Sequence, residues 1–191
     1  MKKIVCLLGG PRPKGNSAAI AKRFSETAEK LGAEITMFAL NKLKYSGCQA
    51  CMTCKTKLEK CVLKDDLAEV LESVREADVL VMVSPTYYGE VTSQLKSFID
   101  RTFSYLVSDY TTNPDPSRLS PGKVLVFIQT QGDPDESKYA DIFPRYEYFF
   151  KWYGFDETHL IRACGVFGPG EVEARADLMK LAEVTAEKIM A

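Results

Sequence analysis

The chain has 191 residues, enough for one domain with a full apolar core, and its 46% hydrophobic, 27% charged and 10% aromatic make-up is ordinary for a globular protein. Twenty-five Lys and Arg against 26 Asp and Glu leave a formal net charge of −1, which points away from nucleic-acid and membrane partners, since both select a basic face. No apolar run has the length to span a bilayer, and the apolar part of MKKIVCLLGG is too short for a secretion signal, so a cytoplasmic protein is expected.

In chain order, Ile4–Leu8 reads as a buried strand ending at Gly9-Gly10. Ile20, Phe24, Ala28 and Leu31 have helical spacing over 17–31, with Gly32 as the stop. Ile35, Met37 and Ala39 alternate weakly, as a strand at a sheet edge does. After a cysteine-rich segment, Leu67, Val70, Leu71 and Val74 mark a helix, and Val79–Val83 is again fully apolar. Leu95, Phe98, Ile99 and Leu106 mark the next helix, and Val124–Ile128 the fourth strand. An aromatic helix carries Phe143, Tyr146, Phe149, Phe150 and Tyr153 and closes at Gly154. Leu160–Val166 lies in the fifth strand, and Leu178, Leu181, Ala182 and Ile189 belong to the last helix. Strand–helix alternation predicts right-handed crossovers and one doubly wound α/β domain over 1–191, with five parallel strands in order 2-1-3-4-5. The irregular stretch 108–122 holds three prolines and reads as an inserted surface loop, long enough to reach a neighbouring subunit.

In such sheets ligands bind beyond the carboxyl ends of strands, where the strand order reverses. Three loops are expected to meet there. The first, GGPRPKGNS, has glycines at P-loop spacing but Asn16-Ser17 where a P-loop carries Lys then Ser or Thr. Its amides and the positive end of the following helix suit a single terminal phosphate, with Arg12 adding charge and Asn16 or Ser17 capping the helix. A plain Gly/Pro turn with a cap is the alternative. The second loop brackets Thr86-Tyr87-Tyr88 between Pro85 and Gly89, offering flat faces for stacking on a planar ring, with Thr92 or Ser93 starting the next helix. The third holds Thr130, Gln131 and Gly132.

Together GGPRPKGNS, PTYYG and SQLKSFIDR resemble the flavodoxin-like NAD(P)H-dependent FMN reductases. The resemblance weakens after about residue 140. It implies FMN, with Gly10, Arg12, Asn16 and Ser17 around the phosphate, Pro85, Thr86, Tyr87, Tyr88 and Gly89 along the flavin ring, and Thr130, Gln131 and Gly132 on its pyrimidine side. Gly10 stands where the family usually has a serine, so its backbone amide serves instead.

Four of the six cysteines, Cys48, Cys51, Cys54 and Cys61, fall within one short segment. Four thiolates are the right number for a metal, and three at successive x-x spacing look more like a cubane-cluster run than the paired knuckles of zinc; uncoordinated thiols are the third possibility. Cys6 and Cys164 read as small buried hydrophobes in strands, and His159 as a strand residue. The run resembles the iron–sulfur flavoproteins, which implies a 4Fe–4S cluster on those four cysteines and electrons arriving from ferredoxin. Lys42, Lys44, Lys55, Lys57, Lys60 and Lys64 around it are a solvated loop or a docking face for an acidic electron carrier. The expectation is an FMN-dependent oxidoreductase exchanging electrons with a small-molecule or protein partner. A cluster-free NAD(P)H-dependent FMN or quinone reductase and a non-enzymatic FMN electron-transfer module are the rivals. No acid–base set is found or required. A homodimer or homotetramer is expected.

Overall fold

The structure, a computed structural model, describes residues 1–191. Five parallel strands, β1 (Lys3–Leu8), β2 (Glu34–Ala39), β3 (Val79–Pro85), β4 (Lys123–Thr130) and β5 (Phe155–Ala163), form one sheet in the order β2-β1-β3-β4-β5. Because successive side chains point to opposite faces, each central strand feeds two cores. Val5 and Leu7 of β1 join one, packed under α3 (Leu67–Glu76), α4 (Ser93–Arg101) and α5 (Ile142–Trp152). Ile4 and Cys6 join the other, under α1 (Asn16–Lys30) and α6 (Ala176–Met190). Each large apolar side chain so buried is worth about 1.5–3 kcal/mol, so both faces must be covered for the sheet to stand.

α1 forms because Ile20, Phe24 and Ala28 share one buried stripe. It ends where Gly32 takes φ +91 and the Ala33 amide returns to the Ala28 carbonyl. α4 starts on a true side-chain cap: Thr92 Oγ1 accepts from the Leu95 amide at 3.3 Å and donates to the Gly9 carbonyl at 2.8 Å, joining β1's loop to α4.

Several expected boundaries move. β5 begins at Phe155, and Val166 lies beyond it. The strand sits at the sheet edge, so after Phe155 its first half is exposed or half-buried and polar, and offers no apolar run to read. Leu106 is outside α4, which gives way to a 3-10 turn at Thr102–Tyr105; Leu106 then pairs with Ser117. Through that pairing and the Val107 amide to Pro116 carbonyl bond, the 108–122 loop folds back on its own chain. Phe149 and Leu181 are exposed although their spacing is helical, and Cys164 lies just past β5, partly exposed. A one-turn helix, α2 (Thr53–Thr56), sits unpredicted among the cysteines. No helix is long and apolar enough to cross a membrane.

Candidate functional site

β1 is where the strand order reverses, and the loops after β1, β3 and β4 meet above it. β3 and β4 end in register, with Pro85 opposite Thr130, and the Thr86 amide donates to the Thr130 carbonyl at 2.7 Å. A pocket of about 360 Å³ opens there, within the range of small-molecule sites. Gly10, Arg12, Asn16, Ser17, Pro85, Thr86, Tyr87, Tyr88, Gly89, Thr130, Gln131 and Gly132 all line it.

At its β1 side, α1 starts on Gly15 with no side-chain cap and no acidic residue in its first turn. The amides of Asn16, Ser17 and Ala18 have no acceptor in the protein, so donors and the positive helix end are available to an anion. Neither Asn16 nor Ser17 caps the helix. The Asn16 side chain is engaged elsewhere, its Nδ2 donating to the Gly168 carbonyl (2.9 Å) and its Oδ1 accepting from the Val172 amide (3.2 Å). Arg12 Nη1 reaches the Phe167 carbonyl at 3.4 Å. A Cβ on Gly10 would stand 3.2 Å from Pro85 Cδ and 3.5 Å from Ser17 Oγ, so a serine there would narrow the gap between the first two loops.

On the β3 side, Tyr87–Glu90 is a two-residue hairpin, with amide–carbonyl bonds both ways (2.9 and 3.1 Å) and positive φ at Tyr88 (51°) and Gly89 (76°). A tyrosine in the left-handed region costs about 1 kcal/mol, and here its ring stands fully exposed at the pocket. Glu90 ties the turn to α5, accepting from the Tyr146 hydroxyl at 2.9 Å and pairing with Arg145 at 3.1 Å. The third loop is fastened from β5: Arg162 donates twice to Gln131 Oε1 (3.2 and 2.7 Å) and to the carbonyls of Glu136 and Lys138. The Gln131 side chain is thus spent on shaping the loop.

The sequence reading missed Asp133, Tyr139, Val166 and Phe167, which also line the pocket. Phe167 is largely exposed, and its ring occupies the place a Cβ on Gly132 would take, 2.8 Å away. Its only sequence signal is an aromatic residue set in the glycine-rich run GVFGPG.

The cysteines lie elsewhere, at the far end of α4. Cys48, Cys51, Cys54 and Cys61 all line a second cavity of about 670 Å³, walled by α4, the 102–106 turn and the aromatic residues of α5. Ala50 and Met52, on either side of Cys51, hold left-handed φ of 52° and 56°. Burial raises the Cys54 thiol, the Lys55 ammonium draws it down, and Cys61 and Cys48 push it up again, leaving it above the usual thiol range. Hydrogen bonds from Thr53 draw the Cys51 thiol below that range. No three His, Cys, Asp or Glu side chains are gathered closely enough to hold a metal ion. Lys55 does not belong to the lysine face: its Nζ is turned in to the Phe103 and Leu106 carbonyls, both at 2.5 Å. Lys42, Lys44, Lys57, Lys60 and Lys64 are exposed. His159 sits in β5, 2.8 Å from Glu157.

Residues 2–142 match the family described as NADPH-dependent FMN reductase, so the match takes in all three of the pocket's loops and all four clustered cysteines. The chain belongs to the NADPH-dependent FMN reductase family. Among curated members of similar sequence, an iron–sulfur flavoprotein of Archaeoglobus fulgidus is 38% identical over 103 residues, 54% of this chain and 46% of the relative. An iron–sulfur flavoprotein of Methanocaldococcus jannaschii is 35% identical over 131 residues, 69% of this chain and 62% of the relative. The chain thus spans about half to three-fifths of the length of these relatives. The reductase fold extends over the whole chain: an FMN-dependent NADH-azoreductase of Bacillus anthracis, solved in complex with FMN, superposes with a TM-score of 0.77 at 19% identity, covering 100% of both chains. An NAD(P)H:quinone oxidoreductase of Methanothermobacter marburgensis gives 0.77 at 17%, covering 100% of this chain and 98% of the other. At that identity the likeness concerns the fold alone.

Proposed function

We propose that this chain is an FMN-dependent oxidoreductase of the iron–sulfur flavoprotein type. The observation that carries the reading is the pocket itself: twelve residues from three separate loops line one cavity at the sheet's switch point, beside three unsatisfied amides of α1. The amides of Asn16, Ser17 and Ala18, with Arg12, hold the phosphate. The 85–89 turn and Tyr88 cover the ring, and the 130–132 backbone lies along its polar edge. Bound FMN supplies the electron chemistry, and the chain's residues bind and orient it.

The cysteine loop is the second electron site. Its donor set is four thiols lining one cavity, with the charges of Cys48 and Cys61 both felt at Cys54. That set suits a 4Fe–4S cluster held by Cys48, Cys51, Cys54 and Cys61. The exposed lysines 42, 44, 57, 60 and 64 form the face for an acidic protein carrier such as ferredoxin. The exposed ring of Tyr88 is covered by a neighbouring subunit in a homodimer or homotetramer; a monomer mass by light scattering, with FMN bound, contradicts this. Iron and acid-labile sulfide after anaerobic reconstitution test the cysteine set, with Cys51→Ala as control: four irons per chain support it, and no excess over the control refutes it.

A second reading, an NAD(P)H-dependent FMN or quinone reductase with free thiols, is favoured by the loose spacing of the cysteine side chains. Turnover with NADPH and a quinone, against reduction by ferredoxin alone, separates the two.

A further inference from the structure

Arg101, the last residue of α4, is 1% exposed and lies at the wall of the cysteine cavity, away from the pocket at β1. Its Nη1 contacts both Asp65 carboxylate oxygens at 2.6 Å and the Ser46 carbonyl at 3.3 Å, and its Nη2 reaches the Leu63 carbonyl at 3.4 Å. Asp65 in turn accepts from the Ser46 amide at 3.2 Å. One turn outward, Asp66 accepts from the Lys44 amide at 2.7 Å and donates its own amide back to the Lys44 carbonyl at 3.3 Å. The segment entering the cysteine loop and the segment leaving it are therefore fastened to each other, and both to one buried guanidinium. What lies between, residues 47–62, is a closed loop carrying all four clustered cysteines.

We propose that Arg101 is the positioning residue of the cysteine loop. Its planar fork satisfies groups on both sides of the neck at once, which a lysine's point charge does not do. α4, capped by Thr92, begins at Ser93, four residues past Gly89 of the pocket's turn, and ends at Arg101 after nine residues, a rise of about 13 Å. One rigid helix thus sets the place of the cysteine loop relative to the pocket. Lys55, on the Phe103 and Leu106 carbonyls, and Arg118, on those of Cys54 (3.0 Å) and Ser104 (2.9 Å), fix the loop's middle to the turn that follows the same helix. The clamp itself is a property of the protein; only its consequence for iron rests on the cluster reading above.

The test uses the full chain as purified with its flavin, in wild type, Arg101→Lys and Arg101→Met, the lysine variant guarding against a simple failure to fold. Hydrogen exchange read by mass spectrometry is expected to speed up by about tenfold or more in 47–62 while β1, β3 and β4 stay as protected as in wild type. FMN affinity is expected to stay within about twofold, and lysine is expected not to rescue the loop. Equal exchange in 47–62, or equal loosening of loop and strands, overturns the proposal. After anaerobic reconstitution, the variants are expected to hold half the wild-type iron or less and to give a broadened reduced-cluster EPR signal; wild-type iron and an unaltered signal overturn it. Wild type that takes up no iron refutes the cluster reading alone, and the exchange result then decides the clamp.

Discussion

The two ends of α4 carry loops built on opposite plans. At its N-terminal end the pocket is a backbone construction: unsatisfied amides at α1, a hairpin with two positive φ values, and glycines placed where a Cβ would collide. At its C-terminal end the cysteine loop has little structure of its own beyond the four residues of α2, and is held by cations acting on carbonyls: Arg101 and Arg118 from outside, and its own Lys55 reaching out to the 102–106 turn. A backbone-built site is hard to move and tolerates the loss of most side chains. A loop hung on buried cations depends on a few distant residues and answers to pH.

The sharpest break of that comparison is Asp65→Asn, which leaves Arg101 buried without its counter-charge. The cost is expected to be about 3 kcal/mol by denaturant unfolding, with FMN binding retained. Burial pushes the Asp65 carboxyl up, but the Arg101 hydrogen bonds, the Ser46 amide and the Arg101 charge outweigh it and hold it below the usual carboxylate range. A depressed acid stabilises the fold fully above its unfolded value of about 4 and loses that contribution as pH falls through the folded one. The gap between wild type and Asp65→Asn is therefore expected to be flat from about pH 5 to 7 and to close below about 4. A gap that widens in acid contradicts the clamp.

At the other end, Gly9→Ala puts a Cβ 2.8 Å from the Val83 carbonyl and 2.9 Å from Leu95 Cβ, and is expected to cost about 2 kcal/mol and to weaken FMN binding as the first loop shifts. Tyr88→Asn is expected to separate the two effects: asparagine accepts the left-handed turn more readily, so stability rises by about 0.5 kcal/mol while flavin affinity falls. Loss of both together argues that the exposed ring serves packing and not the ligand. Smallest of all is a difference in thiol chemistry. In metal-free protein, mapped alkylation is expected to begin at lower pH for Cys51 than for Cys54, since Thr53 favours the one thiolate while burial disfavours the other. Identical profiles contradict the loop geometry.

The same contrast explains what was legible in the sequence. The strand order, the edge position of β2 and the convergence of all twelve expected pocket residues could be read because a backbone site is written in contiguous Gly, Pro and cap residues. Tyr139 and Phe167 could not: Tyr139 lies seven residues past Gly132 in the same connection, and Phe167 comes from the loop after β5, which only the fold brings over Gly132. Asn16 was read as a cap, yet its amide bonds to residues 168 and 172, a partnership only the fold creates. Lys55 looked like one lysine among six, and burial against two carbonyls is what separates it. The neck of the cysteine loop was invisible because Arg101 acts on partners 36 to 55 positions away.

The central claim is that the pocket at β1 is built for a flavin carrying a terminal phosphate. Titration of flavin-free protein with FMN and with riboflavin, which lacks only that phosphate, tests it most directly. Two or more charge-assisted hydrogen bonds from the amides at 16–18 and Arg12, at about 1.5 kcal/mol each, predict FMN binding tighter by about 100-fold. Equal affinity for the two would contradict the assignment.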